Sequence, residues 1–437
     1  MKRKLAILMV ATMTLGTLFG CGSSSKKDTN DTSTASKDGV TIDFWNSWTG
    51  SDGDTLVEKV NEFNETNPYG ITVNMDISSS FAEKLSTALP TGEAAPLVLL
   101  GAADRYSYQE YLLDINDIWD KTSLKEEDFN ANAMSAMKID EDLYSIPFQN
   151  SMYYLYWNKD LFKDAGLDPE TPPKNYEEWA EMASKITDSD KNIYGSGLFM
   201  SYGNHEMSMM QMMSGRLVTK TDDGKWSVNI ANNDGVKNYL KWMKEEYTSG
   251  NNPQDDGIET MFNAGQIGLM VNGPWHAAGA KAAGINFGMT KIFSEEPVGD
   301  VAGFFVTSSA SAEEKLASER FIEWWYKGNE GTAIEDTGAG VWSMDLGFPT
   351  AYLPLADTDA YKNDEKLAEL SLDDNSNDSI WIGTDPDFPG WAETVGVVST
   401  LTQSVIFDTP IDEAMDTAQK SCEDIVTKYC GDDALAK

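Results

Sequence analysis

The feature that most constrains the fold is an ordered alternation of short apolar strands and amphipathic helices early in the chain. Residues 40–45 alternate apolar and polar side chains, which predicts a strand, and residues 56–63 carry apolar side chains on one helical face. A second alternating run at 71–77, a helix at 81–89 and a continuous apolar run at 97–100 follow. The order strand, helix, strand, helix, strand is typical of α/β proteins with a mostly parallel sheet.

The chain length predicts more than one core. The 437 residues leave about 400 after the first forty, more than one hydrophobic core comfortably supports, so we expect two lobes. Helix signals continue to the far end of the chain. Asn175 followed by Glu178 and Ser311 followed by Glu314 predict capped helix starts, and residues 411–426 carry a helical apolar stripe.

The first residues have the pattern of an export signal. A charged start is followed by an apolar run at 5–20, which is shorter than the ~20 residues of a membrane span. Small residues before Cys21 predict a lipoprotein signal peptide at 1–20 and a lipidated Cys21; the alternative is an ordinary secretory signal. Residues 21–39 have almost no apolar side chain and predict a flexible tether. The expected location is the bacterial cell surface, on the outer face of the cytoplasmic membrane.

The composition restricts the class of ligand. The net charge of −38 disfavours nucleic acid and anionic lipid as partners, so the lipid anchor is the only membrane contact expected. Only four arginines are present, at 3, 105, 216 and 320, and a phosphate or carboxylate ligand is usually held by Arg. Thirteen Trp and seventeen Tyr supply flat amphipathic surfaces instead.

Four stretches together resemble the family 1 extracellular solute-binding proteins of ABC importers, the group that includes maltose-binding protein and many oligosaccharide-binding lipoproteins. They are IDFWNSWTG at 42–50, YSIPFQ at 144–149 with YWNKDLF at 156–162, MFNAGQ at 261–266 with NGPW at 272–275, and ERFIEWW at 319–325. One departure is Leu97, where the family often has Asp after Pro. The resemblance implies a monomeric two-lobe α/β fold of the periplasmic-binding-protein type (class II) that passes its ligand to a permease.

The resemblance also implies where the lobes divide. The ligand is expected in the cleft between lobes that are joined by hinge crossings near 147–150, 300–303 and 338–342. The expected division assigns 40–147 plus 303–340 to the N-terminal lobe and 148–302 plus 341–437 to the C-terminal lobe.

Sugar recognition needs aromatic rings for the apolar faces of the pyranose and planar polar groups for the hydroxyls. Trp275 follows the apolar run 267–271 at a Gly-Pro turn, at a strand end where α/β folds place ligands. The resemblance implies that a sugar stacks on it, and a core or lobe-surface Trp is the alternative. Trp45 and Trp48 flank the first strand-to-helix loop, and one is expected to pack while the other faces the cleft. Asn46 between them is either a hydroxyl partner or a turn residue.

Further candidates follow from position. Gln149 and Asn150 lie at the first expected crossing, where polar residues would form the cleft floor. Asp104 follows the third strand and is either a ligand contact or a helix cap. Tyr153 can face the cleft or the core, and His205 and His276 are candidate hydrogen-bond partners of the ligand.

Tryptophans in the irregular C-terminal half are candidates for extending the cleft over several sugar units. Trp342, Trp381 and Trp391 lie among Gly, Pro and Asp, where a solvated surface would rarely carry so many indoles. Local packing is the alternative for each of them.

Two other functions stay open at this point. A surface glycoside hydrolase would need two carboxylates about 5–10 Å apart, and a peptide or amino acid binder would need a paired Arg and Asp. No cofactor is expected, and two histidines do not make a zinc site. The run DDNSND at 373–378 lacks the Gly and Glu of a calcium loop, so no metal is predicted. We therefore predict a non-enzymatic binder of a neutral oligosaccharide.

Overall fold

The computed structural model describes residues 39–293, 298–364, 367, 381–382 and 388–436. Cys21 and residues 373–378 lie outside the described residues. The strands are β1 Thr41–Asn46, β2 Thr72–Ile77, β3 Leu97–Gly101, β4 Lys138–Ile139, β5 Asp142–Leu143, β6 Ser145–Met152, β7 Tyr154–Asn158, β8 Tyr194–Gly197, β9 Val218–Lys220, β10 Trp226–Val228, β11 Ile267–Asn272, β12 Phe287–Lys291, β13 Val298–Val306 and β14 Trp381–Ile382.

The helices are α1 Ser51–Thr66, α2 Phe81–Ala88, α3 Asp104–Tyr108, α4 Ile118–Lys121, α5 Ala131–Ser135, α6 Lys159–Asp164, α7 Tyr176–Ile186, α8 Gly203–Ser214, α9 Asp234–Thr248, α10 Ile258–Asn263, α11 Trp275–Ala282, α12 Ala312–Lys327, α13 Gly338–Leu346, α14 Leu353–Ala356, α15 Asp359–Lys362, α16 Trp391–Ile406 and α17 Ile411–Cys430. Among the residues that the structure describes, no helix is both long enough and apolar enough to span a bilayer.

The first lobe is built on a mixed sheet. Strands β2, β1 and β3 lie parallel, as the alternation of strands and helices predicted. Strand β13 pairs antiparallel with β3, and β14 and β6 both pair with β13. Parallel strands need helices to cover their faces, and α1 and α12 do so here with buried side chains such as Phe63 and Phe321.

The second lobe has its own sheet, in the order β12, β7, β11, β8. Alternate residues of β7 face opposite sides: Leu155 and Trp157 belong to one buried cluster, Tyr154 and Tyr156 to another. This alternation is the period of two expected for a strand buried on both faces. The sheet thus separates a larger core under α7, α8, α9 and α16 from a smaller one under α10 and α11.

Two antiparallel strands carry the chain between the lobes. Strand β6 starts in the first core and ends at Met152 in the second lobe, and β13 returns beside it. The register shifts where they cross, because Gln149 pairs with Ala302 while Pro147 pairs with Gly303. Phe148 is therefore an extra residue, a β-bulge that bends the ribbon at the point where the sequence predicted two crossings.

The third crossing differs from the expected position. Helix α13 was expected to begin the passage to the C-terminal lobe, but Trp342, Phe348 and Leu355 all lie in the first core. The physical reason is an aromatic cluster in which Trp342 packs against Phe148, with ring centroids 4.6 Å apart. Leu367 still belongs to the first core, whereas Phe388 packs with residues of the second lobe.

Candidate functional site

A cleft of about 640 Å³ lies at the junction of the two lobes. The first lobe lines it with the loop after β1, from Ser47 to Asp52, and the crossing ribbon contributes Gln149 and Ser151. The second lobe contributes residues of α8, α10 and α11 and the start of α16. The cleft lies where β1 and β11 end, the edge at which α/β sheets place ligands.

The β1–α1 loop is held in shape by Asn46. This side chain is fully buried, and its Oδ1 accepts a hydrogen bond of 3.0 Å from the Trp48 backbone N–H. Trp48 lines the cleft and packs edge-on against Phe148, with centroids 6.1 Å apart. Asn46 therefore stabilises the turn, and its role as a partner of a ligand hydroxyl stays a prediction.

Of Trp45 and Trp48, which flank this loop, one lines the cleft and the other does not, as expected. Trp45 points to a different surface, where the Lys84 ammonium lies 3.4 Å from its ring centroid. That surface is lined by residues of α2. Trp48 is thus the member of the pair that a ligand in the cleft can reach.

Trp275 is the central aromatic of the second-lobe wall. It begins α11 directly after the β11 turn, and it is half-buried between the two lobes. A Cβ at Gly273 would lie 1.9–2.2 Å from the six-membered ring of this indole, so only glycine lets the ring lie against the backbone. Tyr156 fixes the same turn, because its hydroxyl donates a 2.7 Å hydrogen bond to the Gly273 carbonyl.

A second aromatic supports Trp275 from the side. Tyr153 lies in the cleft wall and meets Trp275 edge-to-face at 5.9 Å, an arrangement that aromatic pairs favour. Behind it, His205 meets Tyr153 edge-to-face at 5.4 Å. Burial lowers the pKa of His205 to about 3, with the Val271 backbone opposing the shift. His205 is therefore a neutral packing partner of Tyr153, one layer away from the cleft.

The polar wall of the second lobe is centred on Glu259. Its Oε1 accepts a 2.7 Å hydrogen bond from Asn272 Nδ2 and lies 3.9 Å from His276 Nδ1. Burial lowers the pKa of His276, against the opposing effect of Glu259. Glu259, His276 and Asn263 all line the cleft. Their planar carboxylate, imidazole and amide groups provide hydrogen-bond acceptors and donors for sugar hydroxyls.

Gln149 links the cleft to the first core. It lines the cleft floor, and its Oε1 accepts a 3.1 Å hydrogen bond from the Trp342 indole N–H. Trp342 itself is only 2% exposed. The structure therefore buries Trp342 behind the cleft floor, which is the local packing alternative, because Phe148, Trp325 and Phe348 surround its ring.

The remaining candidates lie beside the cleft. Asn150 is buried on the crossing ribbon opposite Val301. Asp104 begins α3, and desolvation raises its pKa to about 6, opposed by a hydrogen bond from the Gly101 backbone. Gly101 lines the cleft but Asp104 does not. Trp381 lies on β14, and its side chain is outside the description.

Several cleft residues were not among the candidates. Examples are Tyr202, Asn204 and Ser208, which reach it from α8 and the residue before it, whereas Trp391, a candidate for extending the cleft, lines it from the start of α16. No local pattern marks these α8 positions, because their proximity depends on how α8 packs against the crossing ribbon. Asn263 did carry a signal, since it lies within the MFNAGQ stretch.

A larger cavity of about 930 Å³ lies along the other face of α11. It is lined by Ala278 and Lys281 of that helix, by β12 and by the end of α13. Trp157 in its wall is turned inward, since its indole N–H bonds to the Pro169 carbonyl. The smaller cleft is the better ligand site, because stacking rings and planar polar groups converge there at strand ends.

Comparison with known proteins agrees with this architecture. The family model of the bacterial extracellular solute-binding proteins matches residues 58–369. The galactooligosaccharide-binding protein of Bacillus subtilis (strain 168) is 24% identical over 353 residues, which cover 77% of this chain and 80% of that protein. The maltodextrin-binding protein MdxE of the same organism is 28% identical over 278 residues, covering 57% and 60%.

A third relative binds a different kind of solute by its name. The sn-glycerol-3-phosphate-binding periplasmic protein UgpB of Escherichia coli (strain K12) is 32% identical over 171 residues, covering 36% of this chain and 38% of that protein. This chain therefore matches less than two thirds of the length of MdxE and of UgpB, and the galactooligosaccharide-binding protein is matched over most of its length.

Solved structures share the two-lobe fold. The GacH receptor of Streptomyces glaucescens GLA.O, solved without ligand and with acarbose, superposes with a TM-score of 0.74 at 16% identity, covering 90% of this chain and 99% of that one. An ABC transporter solute-binding protein from Thermotoga lettingae TMO, bound with alpha-D-tagatose, gives 0.72 at 20% identity, covering 89% and 100%. The family consists of binding proteins and not of enzymes. The chain belongs to the bacterial extracellular solute-binding proteins.

Proposed function

We propose that this protein captures a neutral oligosaccharide in the interlobe cleft and delivers it to the membrane subunits of an ABC importer. The observation that carries the proposal is the cleft lining, in which the indoles of Trp48, Trp275 and Trp391 come from both lobes and lie among amide and carboxylate side chains. An indole covers the apolar face of a pyranose, and planar polar groups exchange hydrogen bonds with its hydroxyls.

The shape of the lining suits a chain of sugar units better than a single one. A cleft of about 640 Å³ is within the range of sites that hold drug-sized ligands. The indoles belong to three separate elements, the β1–α1 loop, α11 and α16, so they can contact successive rings. The names of the galactooligosaccharide-binding and maltodextrin-binding relatives point the same way.

A phosphate ligand, as the name of UgpB states for that protein, fits this cleft poorly. No Lys or Arg is among the described residues that line it, while Asp52 and Glu259 are. Recognition of a phosphate normally uses Arg or Lys, because a buried anion without a counter-charge is strongly destabilised. A peptide ligand meets the same objection at its carboxylate end.

Capture depends on the crossing ribbon. Because β6 and β13 bend at the Phe148 bulge, rotation of the lobes about this point would close the cleft on a bound sugar. The ligand favours the closed form only through contacts made with both lobes. We further propose that the protein is a monomer anchored through a lipid on Cys21, which leaves the lobes free to move at the membrane surface.

Isothermal titration calorimetry on the purified chain tests the proposal. Maltotriose, galactotriose and mannotriose are compared with glycerol 3-phosphate and a neutral tripeptide. We expect at least one oligosaccharide to bind with micromolar or tighter affinity. We expect no binding of glycerol 3-phosphate or of the tripeptide. Binding of glycerol 3-phosphate or peptide alone would refute the proposal, and release of smaller sugars from the bound oligosaccharide would indicate a hydrolase.

A further inference from the structure

Glu259 is a charged group in a cleft that otherwise has the character of a neutral sugar site. Its side chain is 46% exposed, on the wall formed by α10 and α11. The hydrogen bond from Asn272 Nδ2 to Oε1 fixes its direction. The carboxylate is therefore held in place and still accessible to a ligand.

No positive charge compensates this carboxylate within the described lining of the cleft. The basic side chain beside it is His276, whose Nδ1 lies 3.9 Å from Glu259 Oε1. Burial lowers the pKa of His276, so its ring is uncharged at neutral pH. On the facing wall Asp52 adds a second carboxyl group, whose Oδ1 accepts a hydrogen bond from the Gly53 backbone N–H.

We propose that Glu259 is a specificity-determining residue that sets the charge class of the ligand. It accepts hydrogen bonds from the hydroxyls of a neutral saccharide and rejects saccharides that carry carboxylate or phosphate groups. This inference rests on the proposed function, since it concerns which saccharides the cleft accepts.

The physical basis is that the Glu259 carboxylate attracts a hydrogen-bond donor on the ligand and repels a negative charge on it. A sugar hydroxyl donates to a carboxylate, and such charge-assisted bonds are stronger than neutral ones. A uronate or phosphate in the same place brings two negative charges together in a cleft that closure removes from water, which weakens binding. Discrimination therefore comes from repulsion of the wrong ligand as well as attraction of the right one.

The test uses matched pairs that differ only at C6. Maltotriose, galactotriose and mannotriose are each compared with the counterpart whose hydroxymethyl groups are oxidised to carboxylates, by calorimetry. For the wild-type protein we expect the acidic form to bind at least about tenfold more weakly than the best neutral form. In Glu259→Gln, which keeps an oxygen acceptor for Asn272, we expect the ratio of the two affinities to fall by about tenfold.

A matched control separates the effect of the charge at Glu259 from the effect of a change in the net charge of the protein. Glu177→Gln on α7 makes the same charge change at an exposed position of the second lobe and should leave the ratio unchanged. A second readout needs no variant: the wild-type ratio should narrow as salt is raised from about 20 mM to about 500 mM, because ions screen the repulsion. If Glu259→Gln fails to fold, Glu259→Ala takes its place in the comparison of affinity ratios.

The outcomes distinguish the two proposals. If the wild type binds acidic and neutral members equally well, the role of Glu259 is refuted while the oligosaccharide function stands. The role of Glu259 is also refuted if the ratio of neutral to acidic affinity in Glu259→Gln equals that of the wild type. If no neutral member binds, both proposals fall.

Discussion

Two groups of aromatic side chains lie back to back in this molecule, and they differ in what holds them. The core cluster, Phe148, Phe304, Trp325 and Trp342, lies in the first lobe and is at most 6% exposed. The cleft rings, Trp48, Tyr153 and Trp275, line the cleft, and Trp48 and Trp275 are half-buried. Phe148 connects the groups, because it contacts Trp342 on one side and Trp48 on the other.

The difference shows that the same residue type serves stability or binding according to where its faces point. Each ring of the core cluster is covered by other rings, so removing one leaves a cavity. Trp275 instead lies against the Gly273 backbone, which leaves ring surface for a ligand. Substitutions in the core cluster should therefore change the free energy of unfolding, and substitutions of the cleft rings should change affinity.

The largest expected effect is on the core side of this comparison. Trp342→Ala should lower the free energy of unfolding by about 3–5 kcal/mol, because it opens a cavity among packed rings and removes the bond to Gln149. Chemical denaturation measures this, and Trp342→Phe, which keeps most of the buried surface, should cost much less. Unchanged stability with lost sugar affinity would place Trp342 with the cleft rings instead.

The corresponding change on the cleft side is Trp275→Ala. We expect sugar binding to weaken by about 1–3 kcal/mol, because a stacking surface is lost, with little change in the unfolding temperature. Calorimetry with the best-bound oligosaccharide measures the affinity, and thermal unfolding provides the control. An affinity equal to that of the wild type would remove Trp275 from the site.

A pH series examines the layer behind the cleft rings. In the unfolded chain His205 takes up a proton near pH 6.5, but burial holds its folded pKa at about 3. The depressed pKa therefore contributes stability that is fully present above pH 6.5 and is lost as pH falls towards 3. Relative to His205→Gln, the wild type should lose about 1.4 kcal/mol of unfolding free energy between pH 8 and pH 5.5. A constant difference between the two proteins over this range would contradict the burial of His205.

The smallest expected effect is that of Gly273→Ala, which tests whether the turn before Trp275 positions its ring. Gly273→Ala adds only a methyl group, but that group would overlap the Trp275 ring and force it away from the backbone. We expect affinity to fall by about 1 kcal/mol, with less effect on stability than Trp342→Ala. The matched control is Gly396→Ala on the exposed face of α16, where an added Cβ would have no atom within 4 Å. Equal effects of the two substitutions would argue against the ring-on-glycine arrangement.

Much of the fold follows from local sequence. The alternating pattern of 40–100 predicted the parallel strands β1, β2 and β3 in order, and the structure confirms them. The Ser311–Glu314 capping box forms as predicted, and Asn175 caps α7 through the Glu178 backbone N–H. These features succeed because they depend on side chains a few residues apart.

The site was predictable only in part. Trp48, Gln149, Tyr153, Trp275 and His276 were candidates, and all five line the cleft. Their roles as ligand contacts remain predictions. Trp45, Asn46, His205 and Trp342 were also candidates, but the structure places them outside the cleft or one layer behind it. Nothing in the local sequence records which face of a strand or loop meets the other lobe.

The sequence by itself therefore determined the α/β class, the capped starts of α7 and α12 and the turn that presents Trp275, because each depends on short-range periodicity, capping or a glycine without a side chain. Only the tertiary structure decided which aromatic rings pack and which remain available to a ligand, that the chain from α13 to α14 packs in the first lobe, and that Glu259 stands in the cleft without a Lys or Arg among the described lining residues. These outcomes depend on contacts between residues far apart in the chain, such as Trp342 with Phe148, and no local pattern specifies them.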